Sequence, residues 1–176
     1  IDVTKKEVKR NPSAPFTTST LQQEAARKLG FSAKQTMAVA QGLYEKGHIT
    51  YMRTDSLNLA KSALEQAQEV IAAEFGKEYG LSEPRHFANK SKGAQEAHEA
   101  IRPTDLSKYP QTLKAGTDRG AARLYDLIWK RTIASQMQQA IFDQTAVDIA
   151  AGPSAAPSKY TFRANGQVVK FDGFIR

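Results

Sequence analysis

The sequence predicts a mainly α fold, in which a helical body with a winged-helix-like helix-turn-helix is flanked by terminal β-strands of a β-rich domain. Apolar residues recur at helical spacing in four segments between about residues 17 and 140. From about residue 141 the pattern changes to the alternation of apolar and polar residues that is typical of strands. The opening IDVTKKEVKR is typical of an edge strand or a lead-in, and NPSAP ends it.

Capping residues predict the first two helices. STLQQEAARKLG offers hydroxyl caps at Ser19 and Thr20 and ends at Gly30, and the next helix is predicted to begin after Ser32 and to end at Gly47. Helical spacing predicts the apolar stripe of this second helix: Ala33, Met37, Ala40, Leu43 and Tyr44. Two helices joined by a short turn with glycine are typical of a helix-turn-helix. HITYMR follows at once and is predicted to be a strand, as in a winged helix.

Two further helices complete the predicted body. One is predicted at about 59–75 and ends at Gly76. The longest is predicted at about 118–139, with Thr117 or Asp118 as its cap. The polar stretch KEYGLSEPRHFANKSKGAQ between these helices has little periodicity, and loops of such length are usually either functional or disordered.

Three strands are predicted after the helices: IFDQTAVDIA, KYTFRA and QVVKFDGF, with a hairpin turn at Asn165-Gly166 and with GPSAAPS as a linker or loop. The opening strand is expected to pair with them, which would make the helical body an insertion in a β-domain. The predicted parts are a lead-in strand and linker at 1–16, the helical domain at 17–140, and the returning strands at 141–176.

Composition and missing motifs exclude several classes of protein. No run of 18 apolar residues is present, so no membrane span is predicted, and the absence of cysteine excludes a disulfide framework or a thiolate zinc site. Glu96 and Glu99 have the spacing of one helix face but no third ligand, so no metal site is predicted. The net charge of +7 favours an anionic partner, most commonly nucleic acid. A start at Ile1 and an end at FDGFIR lead us to expect a piece of a longer chain.

One motif, ITYMRTDS, suits chemistry on a phosphate. Tyr51 and Arg53 are two apart, and on a strand such residues share a face about 7 Å apart. A phenol is a weak nucleophile at neutral pH, whereas a nearby guanidinium favours the phenolate and neutralises a phosphate. A half-buried strand with a solvated arginine would have the same spacing. Asp55 is either a turn residue or a partner that holds Arg53 in place.

A second cluster lies in QEAHEAIRPT. His98 and Arg102 are four apart and would share a face if the segment is helical. Both can donate to phosphate oxygens, and His98 can also carry a proton. The alternative is a solvated, charged helix end. His48 and His86 lack such neighbours and are predicted to lie on the surface.

Together, PFTTSTLQQEAARKLGFSAKQTMAVAQGLYEKGHITYMRTDS and QEAHEAIRPT resemble the tyrosine-bearing domain of type IA DNA topoisomerases. The form ITYMRTDS is similar to the bacterial topoisomerase I branch, since the topoisomerase III branch more often has proline after the tyrosine. The resemblance runs over essentially the whole chain. It implies that the helical body is the movable gate of the enzyme and that the flanking strands belong to its arch domain.

The resemblance implies a tyrosyl transesterification that needs no ATP. Tyr51 would attack one DNA strand and stay joined to the 5′-phosphate, the other strand would pass through, and the free 3′-hydroxyl would reverse the reaction and relax negative supercoils. Arg53 would contact the phosphate region and support cleavage. His98 would contact DNA phosphate near the break. Asp55 and Arg102 would also belong to the DNA-binding set, with less defined roles.

The resemblance also implies what lies outside this sequence. Mg²⁺ would be held by an acidic cluster on a Toprim domain of the parent enzyme, and no cofactor is expected in this fragment. The expected partners are a single-stranded segment of DNA and the missing domains of the same chain, in a cytoplasmic, nucleoid-associated enzyme without a membrane contact. The fragment alone is expected not to relax DNA.

Two other functions are compatible with part of the sequence. A non-catalytic winged-helix DNA-binding module would explain the charge and the helices, but not the pairing of ITYMRTDS with AHEAIRPT. A structural or protein-interaction domain would explain the helices alone.

Overall fold

A computed structural model describes residues 1–88, 98–114, 118–152 and 159–176. These residues form five α-helices and one three-stranded antiparallel sheet, which agrees with a mainly α fold that has strands at its ends. The elements are β1 (Asp2–Arg10), α1 (Thr18–Leu29), α2 (Ala33–Glu45), α3 (Lys61–Glu74), α4 (Pro110–Lys114), α5 (Arg119–Ser135), β2 (Ala140–Ala151) and β3 (Tyr160–Phe171), with short 3₁₀ turns at Lys77–Tyr79 and Gly173–Ile175. The chain divides into two compact units, residues 12–138 and residues 1–11 with 139–176.

Helix α1 begins earlier than the sequence predicted. Its cap is Thr17, whose hydroxyl accepts from the Thr20 N–H at 3.3 Å, while the Thr20 hydroxyl accepts from the Thr17 N–H at 2.9 Å. The prediction of a cap at Ser19 or Thr20 is therefore wrong, because Thr20 is the reciprocal partner in a capping box. The predicted end is confirmed: Gly30 has a φ of 73° and its N–H donates to the carbonyls of Ala25 and Ala26.

Helix α2 has the predicted Ser32 cap, whose hydroxyl accepts from the Gln35 N–H at 3.1 Å. Its buried face differs from the predicted stripe, because Ala33 and Tyr44 are exposed. The residues that it buries are Thr36, Ala40 and Leu43. Thr36 can be buried because its hydroxyl donates to the Ser32 carbonyl at 2.9 Å, within the helix. A stripe chosen from apolar residues alone misses this position.

Helix α5 is the central helix of the unit formed by residues 12–138 and packs against α1, α2, α3 and α4. Its cap is Asp118, whose carboxylate accepts from the N–H groups of Gly120 and Ala121. Thr117, the other predicted cap, lies outside the described residues. Trp129 is buried and its indole N–H donates to the Leu106 carbonyl at 2.9 Å. The largest fully buried side chains of α5 are Leu124, Tyr125, Ile128 and Ile133.

The sheet of the second unit has the order β1-β2-β3, with antiparallel pairs throughout. β1 pairs with β2 from Asp2 opposite Asp148 to Arg10 opposite Ala140, which confirms that the opening strand pairs with the tail.

The predicted hairpin at Asn165-Gly166 is wrong, because both residues lie inside β3. Asn165 pairs with Ala146, and Gly166 pairs with Thr145. The tight turn that Asn-Gly favours requires positive φ at both residues, and neither has it. The sheet therefore has two long strands after the helices where three shorter ones were predicted. Residues 153–158, which contain most of the predicted GPSAAPS linker, lie outside the described residues.

Arg131 of α5 fixes the segment that leads into α1. Its guanidinium lies 4.2 Å from the centre of the Phe16 ring, donates to the Ala14 carbonyl at 3.2 Å, and lies 3.3 Å from the Glu24 carboxylate. Hydrogen bonds from Arg27, supported by Lys28 and Arg131, lower the pKa of Glu24 to about 2, against the opposing effect of burial. Glu24 therefore connects α1 to α5 through a charged group that is ionised over nearly the whole pH range.

We predict that Glu24→Gln lowers the free energy of unfolding at neutral pH by about 1–3 kcal/mol, because hydrogen bonds to a charged acceptor are lost. The pKa of Glu24 is depressed in the folded chain, so its stabilisation is complete above the ordinary value of 4.5 and is lost as pH falls toward about 2. Urea unfolding across this range should therefore show less acid destabilisation in the variant. Glu65→Gln is the matched control, since Glu65 is 60% exposed and lies 3.9 Å from Lys61. Equal acid sensitivity in wild type and Glu24→Gln would contradict the prediction.

Candidate active site

The GHITYMRTDS segment is irregular backbone, so the prediction that HITYMR is a strand is wrong. Only Ile49 forms a β-bridge there, to Pro103. Ile49 and Met52 are each 1% exposed, although strand alternation would put residues three apart on opposite faces. Tyr51 and Arg53 are both exposed on either side of buried Met52. The winged-helix detail of the predicted fold is therefore not confirmed.

Thr50 replaces strand pairing on the N-terminal side of Tyr51. Its N–H donates to the Arg102 carbonyl at 2.9 Å. Its hydroxyl donates to the Ala100 carbonyl at 2.7 Å and accepts from the Arg102 N–H at 3.0 Å. One threonine thus satisfies three backbone groups of the segment 100–102, which holds that segment beside Tyr51.

Thr18 makes the same three bonds on the C-terminal side of Tyr51. Its N–H donates to the Thr54 carbonyl at 2.9 Å. Its hydroxyl donates to the Met52 carbonyl at 2.7 Å and accepts from the Thr54 N–H at 2.9 Å. Residues 52–54 are therefore held against the first turn of α1.

The segment 98–104 is extended and not helical in the described residues. Ile101 bridges to Phe16, and its N–H donates to the Phe16 carbonyl at 2.8 Å. His98 and Arg102 consequently do not share a helix face, which was the condition for the predicted pairing. His98 is exposed, whereas Arg102 is only 8% exposed.

Arg102 is engaged within the protein. Its Nη2 lies 2.8 Å from Glu99 Oε2, and its Nη1 donates to the Pro103 carbonyl at 2.9 Å. Glu99 Oε1 in turn accepts from the N–H of Ala60, the residue before α3, at 2.6 Å. Ala60 has no side-chain oxygen with which to cap the helix. The Arg102–Glu99 pair thus joins the His98 segment to the start of α3.

An open groove of about 470 Å³ brings three of the predicted site residues together. It is lined by Thr17, Thr18, Ser19, Arg53, Thr54, Asp55 and His98. Within the described part of the chain, neither the Arg53 guanidinium nor the His98 imidazole has a hydrogen-bond or ion-pair partner. No ion pair joins Arg53 and Asp55 among the same residues, so the hypothesis that Asp55 holds Arg53 gains no support. The groove leaves Arg53 and His98 available to an anionic ligand.

Tyr51 is not among the groove-lining residues but precedes Arg53 by two positions. It is 49% exposed, and its ring meets the ring of Tyr44 edge-on, with centroids 5.2 Å apart and planes at 65°. Such pairs contribute roughly 0.5–1.5 kcal/mol beyond the area they bury. Tyr44, which the sequence placed in the core stripe of α2, therefore supports the ring of Tyr51.

His48 differs from its predicted surface position. It is partly buried, its ring lies 6.3 Å from that of Tyr125, and its Nδ1 has no hydrogen-bond partner among the described residues. Burial lowers the pKa of His48, and the neighbouring Lys108 and Lys46 lower it further. His86 is exposed, as predicted.

Sequence reasoning missed three residues that shape the site: Thr18, Tyr44 and Glu99. The hydroxyl-rich TTST run indicates a helix start, but no local pattern indicates that Thr18 bonds to residues 34 and 36 positions away. Tyr44 fits the helical spacing of a core residue. Glu99 was considered only as a metal ligand, although an acidic residue three positions before an arginine is also typical of an ion pair.

The described residues offer neither a cluster that could hold a metal ion nor a helix that could cross a membrane. No group of three or more His, Asp or Glu side chains that could hold a metal ion occurs within 1–88, 98–114, 118–152 and 159–176. No helix in those ranges is long and apolar enough to cross a membrane.

Comparisons with known proteins agree on one family. The model of a family described as DNA topoisomerase matches residues 1–176. DNA topoisomerase 1 of Xylella fastidiosa is 48% identical over 99% of this chain and 22% of its own length, and that of Zymomonas mobilis is 51% identical over 99% and 14%. The structure of full-length topoisomerase I from Thermotoga maritima matches 98% of this chain and 28% of that one, with a TM-score of 0.82 and 38% identity. This chain spans less than a quarter of the length of the two curated relatives.

We predict that Glu99→Ala lowers the free energy of unfolding by about 2–3 kcal/mol, because it leaves the buried Arg102 guanidinium without its carboxylate partner and the Ala60 N–H without its acceptor. Thermal and urea unfolding measure this change. Asp126→Ala is the control, since the exposed pair of Asp126 with Lys130 should contribute about 0.5 kcal/mol or less. Equal losses in the two variants would show that the Arg102–Glu99 pair is not a structural link.

Proposed function

The chain belongs to the DNA topoisomerase family, and from this premise we propose that it is the tyrosine-bearing part of a longer type IA enzyme. Its function would be to cleave one DNA strand, let the other pass and rejoin the first, relaxing negative supercoils. The observation that carries the proposal is the groove that holds Arg53 and His98, neither of which has a hydrogen-bond or ion-pair partner among the described residues. Arg53 lies on the segment that carries exposed Tyr51, and His98 lies on the neighbouring segment.

We assign the nucleophile to Tyr51. Its phenolic oxygen would attack a backbone phosphorus, forming a bond between that oxygen and phosphorus and breaking the bond from phosphorus to the 3′-oxygen. The phenol gives its proton to solvent, the leaving 3′-oxygen takes a proton from solvent, and the 5′-phosphate remains on the tyrosine. Because one phosphodiester is exchanged for another, the reverse attack by the 3′-hydroxyl restores the strand without a nucleotide. Nearly half of the Tyr51 surface is exposed, which fits attack on a large polymer.

Arg53 and His98 would bind the DNA phosphates near the break. A guanidinium presents donors in a fixed fork that matches phosphate oxygens, and it stabilises the negative charge that develops during attack. His98 can donate a hydrogen bond to phosphate from a different segment of the chain. Because neither side chain has a partner to give up within the described residues, binding would cost no internal hydrogen bond. Asp55 also lines the groove and would contact the DNA or orient its neighbours.

Arg102 would support DNA binding through its position. Its guanidinium contacts Glu99 and Pro103, and a direct phosphate contact would require these bonds to break. We therefore propose that Arg102 holds the extended segment that presents His98 to the groove.

The metal requirement of the parent enzyme would be met outside this chain. The described residues do not offer an acidic cluster that fits Mg²⁺, so no step proposed for Tyr51, Arg53 or His98 passes through a metal ion. Because the chain spans less than a quarter of its curated relatives, the other domains would supply the metal and the second wall of the DNA site. We expect this chain alone not to relax supercoiled DNA.

The two compact units would belong to different domains of the whole enzyme. We propose that the helical domain at 17–140 is the movable gate, and that the strands within 1–16 and 141–176 belong to the arch domain into which the gate is inserted in the sequence. The winged-helix module is less favoured, because the segment after α2 is not a strand.

We predict that Tyr51→Phe in the full-length enzyme abolishes the covalent protein–DNA adduct and changes the free energy of unfolding by less than about 1 kcal/mol, since the side chain is half exposed. The adduct is measured by denaturing gel with end-labelled single-stranded DNA. Tyr44→Phe is the control and should retain the adduct, because it preserves the ring that contacts Tyr51. An adduct that persists in Tyr51→Phe would assign the nucleophile to another residue.

We predict that this chain binds single-stranded DNA with an affinity that falls as salt rises. Arg53→Ala should reduce the slope of log affinity against log salt by about 0.7, the contribution of one phosphate contact on a single strand. Fluorescence anisotropy at several salt concentrations measures the slope. Arg119→Ala, which removes an exposed arginine outside the groove lining, is the charge-matched control. If both variants reduce the slope equally, binding is diffuse and the groove is not its centre.

A further inference from the structure

We propose that Thr18 is a positioning residue for strand cleavage, acting through its hydroxyl on the backbone that carries Tyr51 and Arg53. The inference deepens the proposed function and rests on it. Thr18 is the first residue of α1 and lies outside the segment 50–54 that carries Tyr51 and Arg53. It bonds to that segment at Met52, 34 positions away along the chain.

The hydroxyl makes two hydrogen bonds to backbone groups that are not paired in a sheet. It donates to the Met52 carbonyl at 2.7 Å and accepts from the Thr54 N–H at 2.9 Å, while the backbone N–H of Thr18 donates to the Thr54 carbonyl at 2.9 Å. Residues 52–54 have no place in a sheet, so without Thr18 their polar backbone groups would need other partners. The peptide groups on both sides of Arg53 are thereby fixed to the first turn of a helix.

Because the backbone of residues 52–54 is held in place, the directions of the neighbouring side chains are fixed as well. Met52 is 1% exposed and anchors the middle of the segment, while Tyr51 before it and Arg53 after it project outward. On the other side of Tyr51, Thr50 holds the backbone with the same three-bond pattern. The backbone is thus fixed on both sides of the tyrosine. On the N-terminal side the hydroxyl comes from Thr50 of the segment itself, and on the C-terminal side it comes from Thr18 in α1.

Fixed backbone matters for the proposed reaction because attack requires the phenolic oxygen and the guanidinium to meet one phosphate together. A misplacement of about 1 Å in such an arrangement can slow a reaction by roughly 100-fold. Thr18 also lines the groove, but its hydroxyl already donates to the Met52 carbonyl and accepts from the Thr54 N–H. Its contribution therefore comes from holding the segment, and DNA affinity should depend on it little.

The test compares Thr18→Val and Thr18→Ser in the full-length enzyme, with Thr36→Val as the matched control. Thr36 lies in α2 outside the groove, and its buried hydroxyl donates to the Ser32 carbonyl at 2.9 Å, so its loss removes a comparable bond elsewhere. Each variant is assayed for thermal stability, for its dissociation constant with end-labelled single-stranded DNA, and for the single-turnover rate of adduct formation at saturating DNA.

We expect Thr18→Val to form the adduct about 10- to 100-fold more slowly, with a dissociation constant within about 3-fold of wild type. Thr18→Ser keeps the hydroxyl and should cleave within about 3-fold of the wild-type rate, and Thr36→Val should lose stability without losing rate. If Thr18→Val does not fold, Thr18→Ala gives the same readout, because it also lacks the hydroxyl.

Three results would overturn the inference. Cleavage by folded Thr18→Val or Thr18→Ala at the wild-type rate would show that the hydroxyl is not needed. A loss of DNA affinity that accounts for the whole defect would make Thr18 a DNA contact. A rate loss in Thr36→Val equal to that in Thr18→Val would reduce the effect to stability. If the wild-type enzyme forms no adduct at Tyr51, both the proposed function and this inference fail. If the wild type forms the adduct and the Thr18 variants behave in one of the three ways above, only the inference about Thr18 fails.

Discussion

The site depends on a single constraint: two segments without regular secondary structure must satisfy their backbone hydrogen bonds next to each other. Thr50 and Thr18 meet this constraint by one pattern, in which a hydroxyl accepts from the N–H of one residue and donates to the carbonyl two positions earlier. Each threonine adds a backbone bond to the same partner. Side-chain hydroxyls thus take the place of a neighbouring strand. Tyr51 lies between the two anchored stretches and faces outward, while Met52 stays buried.

The helical core supports this arrangement through the residues just before α1. Phe16 is fully buried, and its carbonyl accepts from the Ile101 N–H. Arg131 lies over the Phe16 ring and pairs with Glu24, so the packing of α1 on α5 also fixes the segment that carries His98. Stability and geometry at the groove are therefore coupled, although the core side chains themselves do not line it.

Two sets of cationic side chains differ in their physical roles. Arg85, Arg102 and Arg131 are partly or largely buried and donate to backbone carbonyls, where they tie loops and helix ends together. Arg53 and His98 have no such bonds among the described residues and lie in one groove. Net charge alone does not separate these groups, because it counts a structural guanidinium and an available one alike. Of these two sets, Arg53 and His98 are the side chains that an anionic ligand in the groove would meet.

Features that depend on local interactions could be predicted from the sequence. The Ser32 cap, the left-handed Gly30 and the Asp118 cap each involve residues within a few positions, so local rules predicted them. The ITYMRTDS and QEAHEAIRPT motifs identified the family because they are long and specific. Which residues reach the groove could not be read locally, since the deciding bonds join residues far apart in sequence.

Tertiary structure decided the rest, because distant partners can override local preference. Asn165-Gly166 favours a tight turn locally, yet pairing with β2 along the whole of β3 keeps both residues extended. Arg102 resembles a DNA contact in the motif, yet Glu99 and the Pro103 carbonyl hold its guanidinium in the interior. Thr18 has the pattern of one more hydroxyl at a helix start, and only the approach of residues 52–54 makes it a support of the segment that carries Tyr51 and Arg53.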